Sequence, residues 1–202
     1  MNQGLERLLP LLSTIPGVNI PVTVLQGFYI AASQSKIEEF EQALRYEVNL
    51  WNQKFEANKL LLAKDYVKTE NFSANIIQAF RAAEVAESKQ KLKFIARALL
   101  GCATDFSPHE INRSLCMRIV EQITTDEIDF IAEIVRDGRF NRTFDDIFSN
   151  KPFMETSENT VLARGLIQLG LLVSHSGPEL SIRLQPSALA ENLVLLCRQT
   201  EL

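Results

Sequence analysis

From residue 28 to residue 100 the chain contains no glycine and no proline. These residues are the strongest local breakers of regular structure, so such a span favours long helices over short strands joined by tight turns. Within it Ile37, Phe40, Leu44, Val48, Trp51 and Phe55 recur at spacings of three and four, which places them on one side of a helix. Glu38, Glu39, Glu41, Arg45, Glu47 and Lys54 fill the other faces. The pattern predicts an amphipathic helix over about 35–63. Its stripe has two uses open to it: docking on the protein's own core, or self-association and contact with a partner.

A second helix is expected over about 70–86, with Phe72, Ile76, Ile77, Phe80 and Ala83 on one face. A third covers about 88–100 in "SKQKLKFIARALLGCA", opened by Ser88 as N-cap and stopped by Gly101. Lys89, Lys91, Lys93 and Arg97 are the basic cluster of the chain. They form either a solvated helix face or a contact for an anion such as phosphate or an acidic partner. A fourth helix, about 108–123, starts at Pro108, where the missing N–H costs little. Next, in "TTDEIDFIAEIV", Thr124 and Glu127 have the spacing of a capping box, and Asp126 suits a helix N-terminus. This restart divides the chain into a helical domain, 1–123, and a second domain, 124–202.

In the second domain "RDGRFN" reads as a turn and "TFDDIFS" as a short helix. "TSENTVLARGLIQLG" reads as a capped helix, about 157–169, stopped by Gly170. "LLVSH" and "LSIRL" read as strands around the turn "SGPE", and "PSALAENLVLLC" as a closing helix led by Pro186. The expected fold class is mainly α. An N-terminal helical domain precedes a winged-helix-like α+β domain with a small two-stranded hairpin.

Three segments resemble bacterial proteins of the abortive-infection alpha type, a group largely of unknown function. They are "ESKQKLKFIARALLGCA" (87–103), "INRSLCMRIVEQITTDEIDFIAEIV" (111–135), and "LIQLGLLVSH" with "IRLQPSALAENLVLLC". The sequence departs from winged-helix tails of this kind at Gln185-Pro186-Ser187-Ala188, where they often carry Thr–x–x–Gly. The resemblance implies a role in phage defence or stress response and supplies no catalytic residues.

Charge bears on the choice of partner. The chain of 202 residues has a net charge of −4. Residues 124–202 hold 7 Lys plus Arg against 12 Asp plus Glu, net −5, and residues 1–123 hold 14 against 13, net +1. Phosphate neutralisation supplies most non-specific affinity for nucleic acid, so an acidic winged helix starts at a disadvantage. Its third helix offers Asn159, Thr160, Arg164 and Gln168 as base-reading candidates, and its wing turn carries Glu179. The leading expectation is a non-enzymatic protein-interaction or assembly module with a protein partner or a second copy. The alternatives are a DNA-binding regulator acting as a dimer and a peripheral membrane protein using residues 15–32, an apolar segment broken by Pro16, Gly17 and Pro21.

No catalytic constellation is legible: the phosphate loop, nucleophile elbow and zinc-protease motifs are missing. Cys102, His109 and Cys116 follow one another at intervals of seven, which is wrong for zinc ligand pairs. Asp145-Asp146 and Glu38-Glu39 are adjacent pairs that point apart on a helix. No metal, no cofactor and no enzymatic activity are therefore expected. Odd, scattered cysteines and the lack of a secretory signal point to the cytoplasm.

Overall fold

Helix starts in both halves of the chain are set by side-chain caps. Thr69 Oγ1 accepts from the Phe72 N–H at 3.2 Å, and Ser88 Oγ accepts from the Lys91 N–H at 3.0 Å. Thr124 and Glu127 make the reciprocal pair: the Thr124 N–H donates to Glu127 Oε2 at 2.8 Å, and the Glu127 N–H donates to Thr124 Oγ1 at 3.3 Å. Each satisfies N–H groups that the first turn leaves without a helical partner.

The computed structural model describes residues 34–56, 62–105, 110–136, 142–143, 158–176 and 182–198. Their α-helices are α1 (Gln34–Glu56), α2 (Glu70–Glu84), α3 (Lys89–Cys102), α4 (Glu110–Gln122), α5 (Thr125–Arg136), α6 (Glu158–Gln168) and α7 (Ala188–Arg198). The strands are β1 (Arg142–Thr143), β2 (Leu172–Ser176) and β3 (Ile182–Pro186). The protein is thus mainly helical with a small antiparallel sheet. The expected apolar segment 15–32, the short helix after Thr143 and the turn at 177–179 lie outside the described residues.

Backbone contacts divide the chain into two units. One comprises Met1–Gln122 with Leu195–Leu202, and the other runs Ile123–Val194. The second begins beside the Thr124 cap, where a second domain of 124–202 was expected, and Leu195–Leu202 cluster with the first unit.

In the first unit α1 packs on α3, and α2 packs on both α3 and α4. Lys36 Nζ donates to the Ala86 carbonyl at 2.6 Å, Lys93 lies by Tyr46, and Arg97 pairs with Glu47. These pairings advance together along both helices, so α1 and α3 run parallel, side by side. Ile37, Phe40, Leu44, Val48 and Trp51 are all buried, and Phe40 meets Phe80 edge-on at 5.4 Å. The stripe is therefore part of the protein's own core. That corrects the expectation of a self-association or partner surface there; the side chain of Phe55 lies outside the described residues. Leu62 and Ala63, expected at the end of this helix, are extended chain instead: Leu62 bridges to Thr104 and the Ala63 N–H donates to the Ala103 carbonyl at 2.9 Å.

The second unit holds a three-stranded antiparallel sheet in the order β1-β3-β2. The hairpin pairs Leu172 with Pro186 and Ser176 with Ile182, a register one or two residues later than the sequence suggested. Arg142 and Thr143 add a third strand by pairing with Leu184 and Arg183, where a short helix was expected to begin at Thr143. Two residues carry too little pattern to announce a strand.

Pro186 ends β3 rather than leading α7. There it pairs with Leu172 of β2. Ser187 is the cap instead. Its Oγ accepts from the Ala190 N–H at 3.2 Å and donates to the Gly170 carbonyl at 2.7 Å. Gly170, at φ +72, closes α6. The Leu171 N–H reaches back to Leu166 and the Gly170 N–H to Ile167, the paired bonds of a Schellman stop.

Gly101 has a packing role as well. It lies within α3, not after it, and a methyl group there would overlap the Leu196 carbonyl oxygen of α7. Alanine normally stabilises a helix interior by about 1 kcal/mol over glycine. Here Gly101→Ala is expected to destabilise the protein by about 1–3 kcal/mol through overpacking, read as a lower urea midpoint. An unchanged or higher midpoint would contradict the close approach.

Candidate interaction surfaces

Helix α3 is enclosed on most sides. Lys91, Leu92, Phe94, Ile95, Ala96 and Ala98 through Cys102 are buried, leaving Lys89, Gln90 and Lys93 exposed and Arg97 partly so. The four basic residues expected to share an anion-contact face are thereby separated. Lys91 is 1% exposed, with its ammonium 5.9 Å from the Phe94 ring centroid. A helix turns about 100° per residue, so Lys91 stands about 200° from Lys89 and from Lys93. That angular step was legible in the sequence. Arg97 Nε donates to Glu47 Oε1 at 2.9 Å, the carboxylate being fully buried. Lys93 Nζ lies 5.8 Å from the ring centroid of Tyr46, which is 53% exposed.

A second cluster, inside the first unit, brings Arg113, Tyr66 and Asn75, which the sequence did not single out, to the end of α3. The Arg113 guanidinium donates to the carbonyls of Cys102 at 3.1 Å and Thr104 at 3.4 Å. It also lies 4.1 Å from the Tyr66 ring centroid. A cation at this point answers the carbonyls left over at the end of α3. Asn75 Nδ2 donates to the Tyr66 hydroxyl at 2.7 Å.

Burial is the main influence on the titratable groups of this cluster. It raises the Tyr66 hydroxyl to about 12; nearby Cys102 adds to the rise and Arg113 opposes it. Burial raises the Cys116 thiol to about 12, and burial followed by Cys116 pushes Cys102 up further. A thiolate, not a thiol, is the nucleophile and metal ligand, so these groups are held in unreactive forms. The described residues include no cluster of three or more metal-ligating side chains. His109, Asp145, Asp146 and the side chain of His175 lie outside them, while Glu38 is exposed and Glu39 half-buried.

In the second unit the outer side of α6 presents Val161, Arg164 and Gln168, all exposed, and Val161 is 63% exposed. Thr160 is fully buried. It cannot read a base edge, contrary to the expectation, because it lies on the stripe with Ala163 and Leu166 that faces the unit's core. The side chain of Asn159 lies outside the described residues. One turn on from Val161, α6 meets α5 closely: a methyl group on Gly165 would displace the Glu127 carboxylate. Residues 123–194 carry 6 Lys plus Arg against 11 Asp plus Glu, net −5.

Among the described residues no helix is long and apolar enough to cross a membrane. The chain matches no family model, no curated protein and no solved structure.

The buried thiols and Tyr66 hold their protons to higher pH folded than unfolded. The stability they contribute is complete below the unfolded thiol value of 9.0 and is lost as pH rises towards about 12. Unfolding free energy should fall across that window. At neutral pH an aromatic disulfide reagent should label half-buried Cys197 quickly, and Cys102 and Cys116 only as the protein unfolds. Three equally fast thiols in the native protein would contradict this.

Proposed function

We propose that the protein is a non-enzymatic interaction module of the cytoplasm, whose second unit is winged-helix-like and is used for contact with protein rather than DNA. The order helix, strand, helix, strand, strand with the sheet arranged β1-β3-β2 supports the winged-helix reading. The observation that carries the choice of partner is the outer side of α6, the helix that would enter a major groove. It presents an exposed valine, one glutamine and a single cation, Arg164, on a unit of net charge −5. A groove-reading helix needs cations to hold the phosphates on either side. An apolar residue with one arginine is closer to the composition of a protein interface.

The resemblance of residues 87–103, 111–135, 166–175 and 182–197 to abortive-infection proteins supports a setting in phage defence or stress response. Three cysteines with no disulfide between them accord with a reducing compartment.

The test uses the full chain. Immobilised wild-type protein should retain a bacterial protein that Val161→Glu fails to retain, while circular dichroism shows the variant folded. Labelled duplex DNA should show no binding by anisotropy that depends on Arg164 at about 50 mM or 200 mM salt. Salt-sensitive duplex binding abolished by Arg164→Glu would reverse the reading in favour of a DNA-binding regulator.

A further inference from the structure

We propose that the first unit carries a separate site for single-stranded nucleic acid, on the face where α3 lies beside α1, with Lys89 and Lys93 on the phosphates and Tyr46 stacked on a base. Three observations converge on it. Helix α3 contains no acidic residue, and its solvent strip consists of Lys89, Gln90 and Lys93, continued by Arg97. Lys89, Lys93 and Arg97 follow one another along α3, about 6 Å at each step, but Arg97 is paired with buried Glu47, so the charge of this row rests on Lys89 and Lys93. Tyr46 stands directly across from the middle of this row, 53% exposed with Lys93 Nζ 5.8 Å from its ring centroid.

The environment of Tyr46 suits a strand. Its neighbours on the same side of α1, Gln42 and Asn49, are exposed and uncharged. Glu47, the acidic residue nearest in sequence, is turned inward and fully buried on Arg97. An exposed aromatic ring beside a track of cations is the combination that binds single strands with little regard to sequence: every base has a face to stack, and every link a phosphate. A duplex hides its base faces and would use the lysines alone. An acidic protein segment would likewise have no need of the ring. The exposed tyrosine is what favours a single strand.

The experiment is fluorescence anisotropy of a labelled thymidine 20-mer with the full chain. Binding is expected at about 50 mM salt and should weaken steeply by about 200 mM. Tyr46→Ala should weaken it at least about fivefold, and Tyr46→Phe should restore it by keeping the ring. The double change Lys89→Glu with Lys93→Glu should weaken it more than about tenfold. Exposed Lys64 and Lys68, changed together to Glu, give the same charge elsewhere on the unit and should leave affinity within about twofold.

Three results would overturn the proposal. They are no binding at low salt, equal losses from the two lysine pairs, or Tyr46→Ala binding as well as wild type. Poly-glutamate competing as effectively as the 20-mer, with no dependence on Tyr46, would point instead to an acidic protein. All the altered side chains are exposed, so circular dichroism should show every variant folded. The site is independent of Val161 and Arg164, so either proposal can fail alone.

Discussion

The side-by-side packing of α1 on α3 is the contact on which the first unit depends. Ile37, Phe40, Leu44, Val48 and Trp51 of α1 are buried where it meets α3 and α2, each contributing on the order of 1.5–3 kcal/mol when fully removed from water. A polar pair sets the register. Glu47 is fully buried, and Arg97 reaches it from α3, while Glu47 Oε2 has no hydrogen-bond partner. A buried ion pair of this kind is poor evidence for net stability. Its consequence is geometric: sliding α1 along α3 by one turn would leave a carboxylate in the core without its cation.

The same enclosure decides what α3 can show to solvent. A helix with neighbours on most sides keeps only a narrow strip, and here the strip contains Lys89, Lys93 and part of Arg97. The end of the helix is governed by other groups. Arg113 covers the Cys102 and Thr104 carbonyls, and glycine at 101 lets Leu196 approach. In the second unit Ser187 has a comparable duty. Through Gly170 and Ala190 it joins the stop of α6 to the start of α7, so one side chain fixes two helix ends.

Features written locally were legible in the sequence. The caps at Ser88 and Thr124–Glu127, the stop at Gly170 and the one-sided stripe of α1 each rest on residues within a few positions of one another. What escaped depended on distant partners. The strand at Arg142–Thr143 exists because β3 offers it pairing, and the burial of Thr160 follows from the direction in which α6 meets its core. Pro186 resembles a helix starter until its pairing with Leu172 is known. Lys91 is a different case, since helical geometry already sets it apart from Lys89 and Lys93. Of the candidate site residues, Lys89, Lys93, Arg164 and Gln168 are where a partner could reach them. The apolar stripe and Thr160 are not, and Tyr46 carried no signal beyond being an aromatic on the polar side of α1.

The most regular apolar pattern in the chain is therefore used for internal packing. The central claim is that α1 is held by its own chain. The direct measurement is thermal unfolding followed by circular dichroism over a hundredfold range of protein concentration, from about 1 to 100 µM. If the stripe packs on α3 of the same chain, helicity and Tm will not change with concentration. If the stripe is instead shared between copies, dilution will lower both, as mass action requires of a fold completed by a partner.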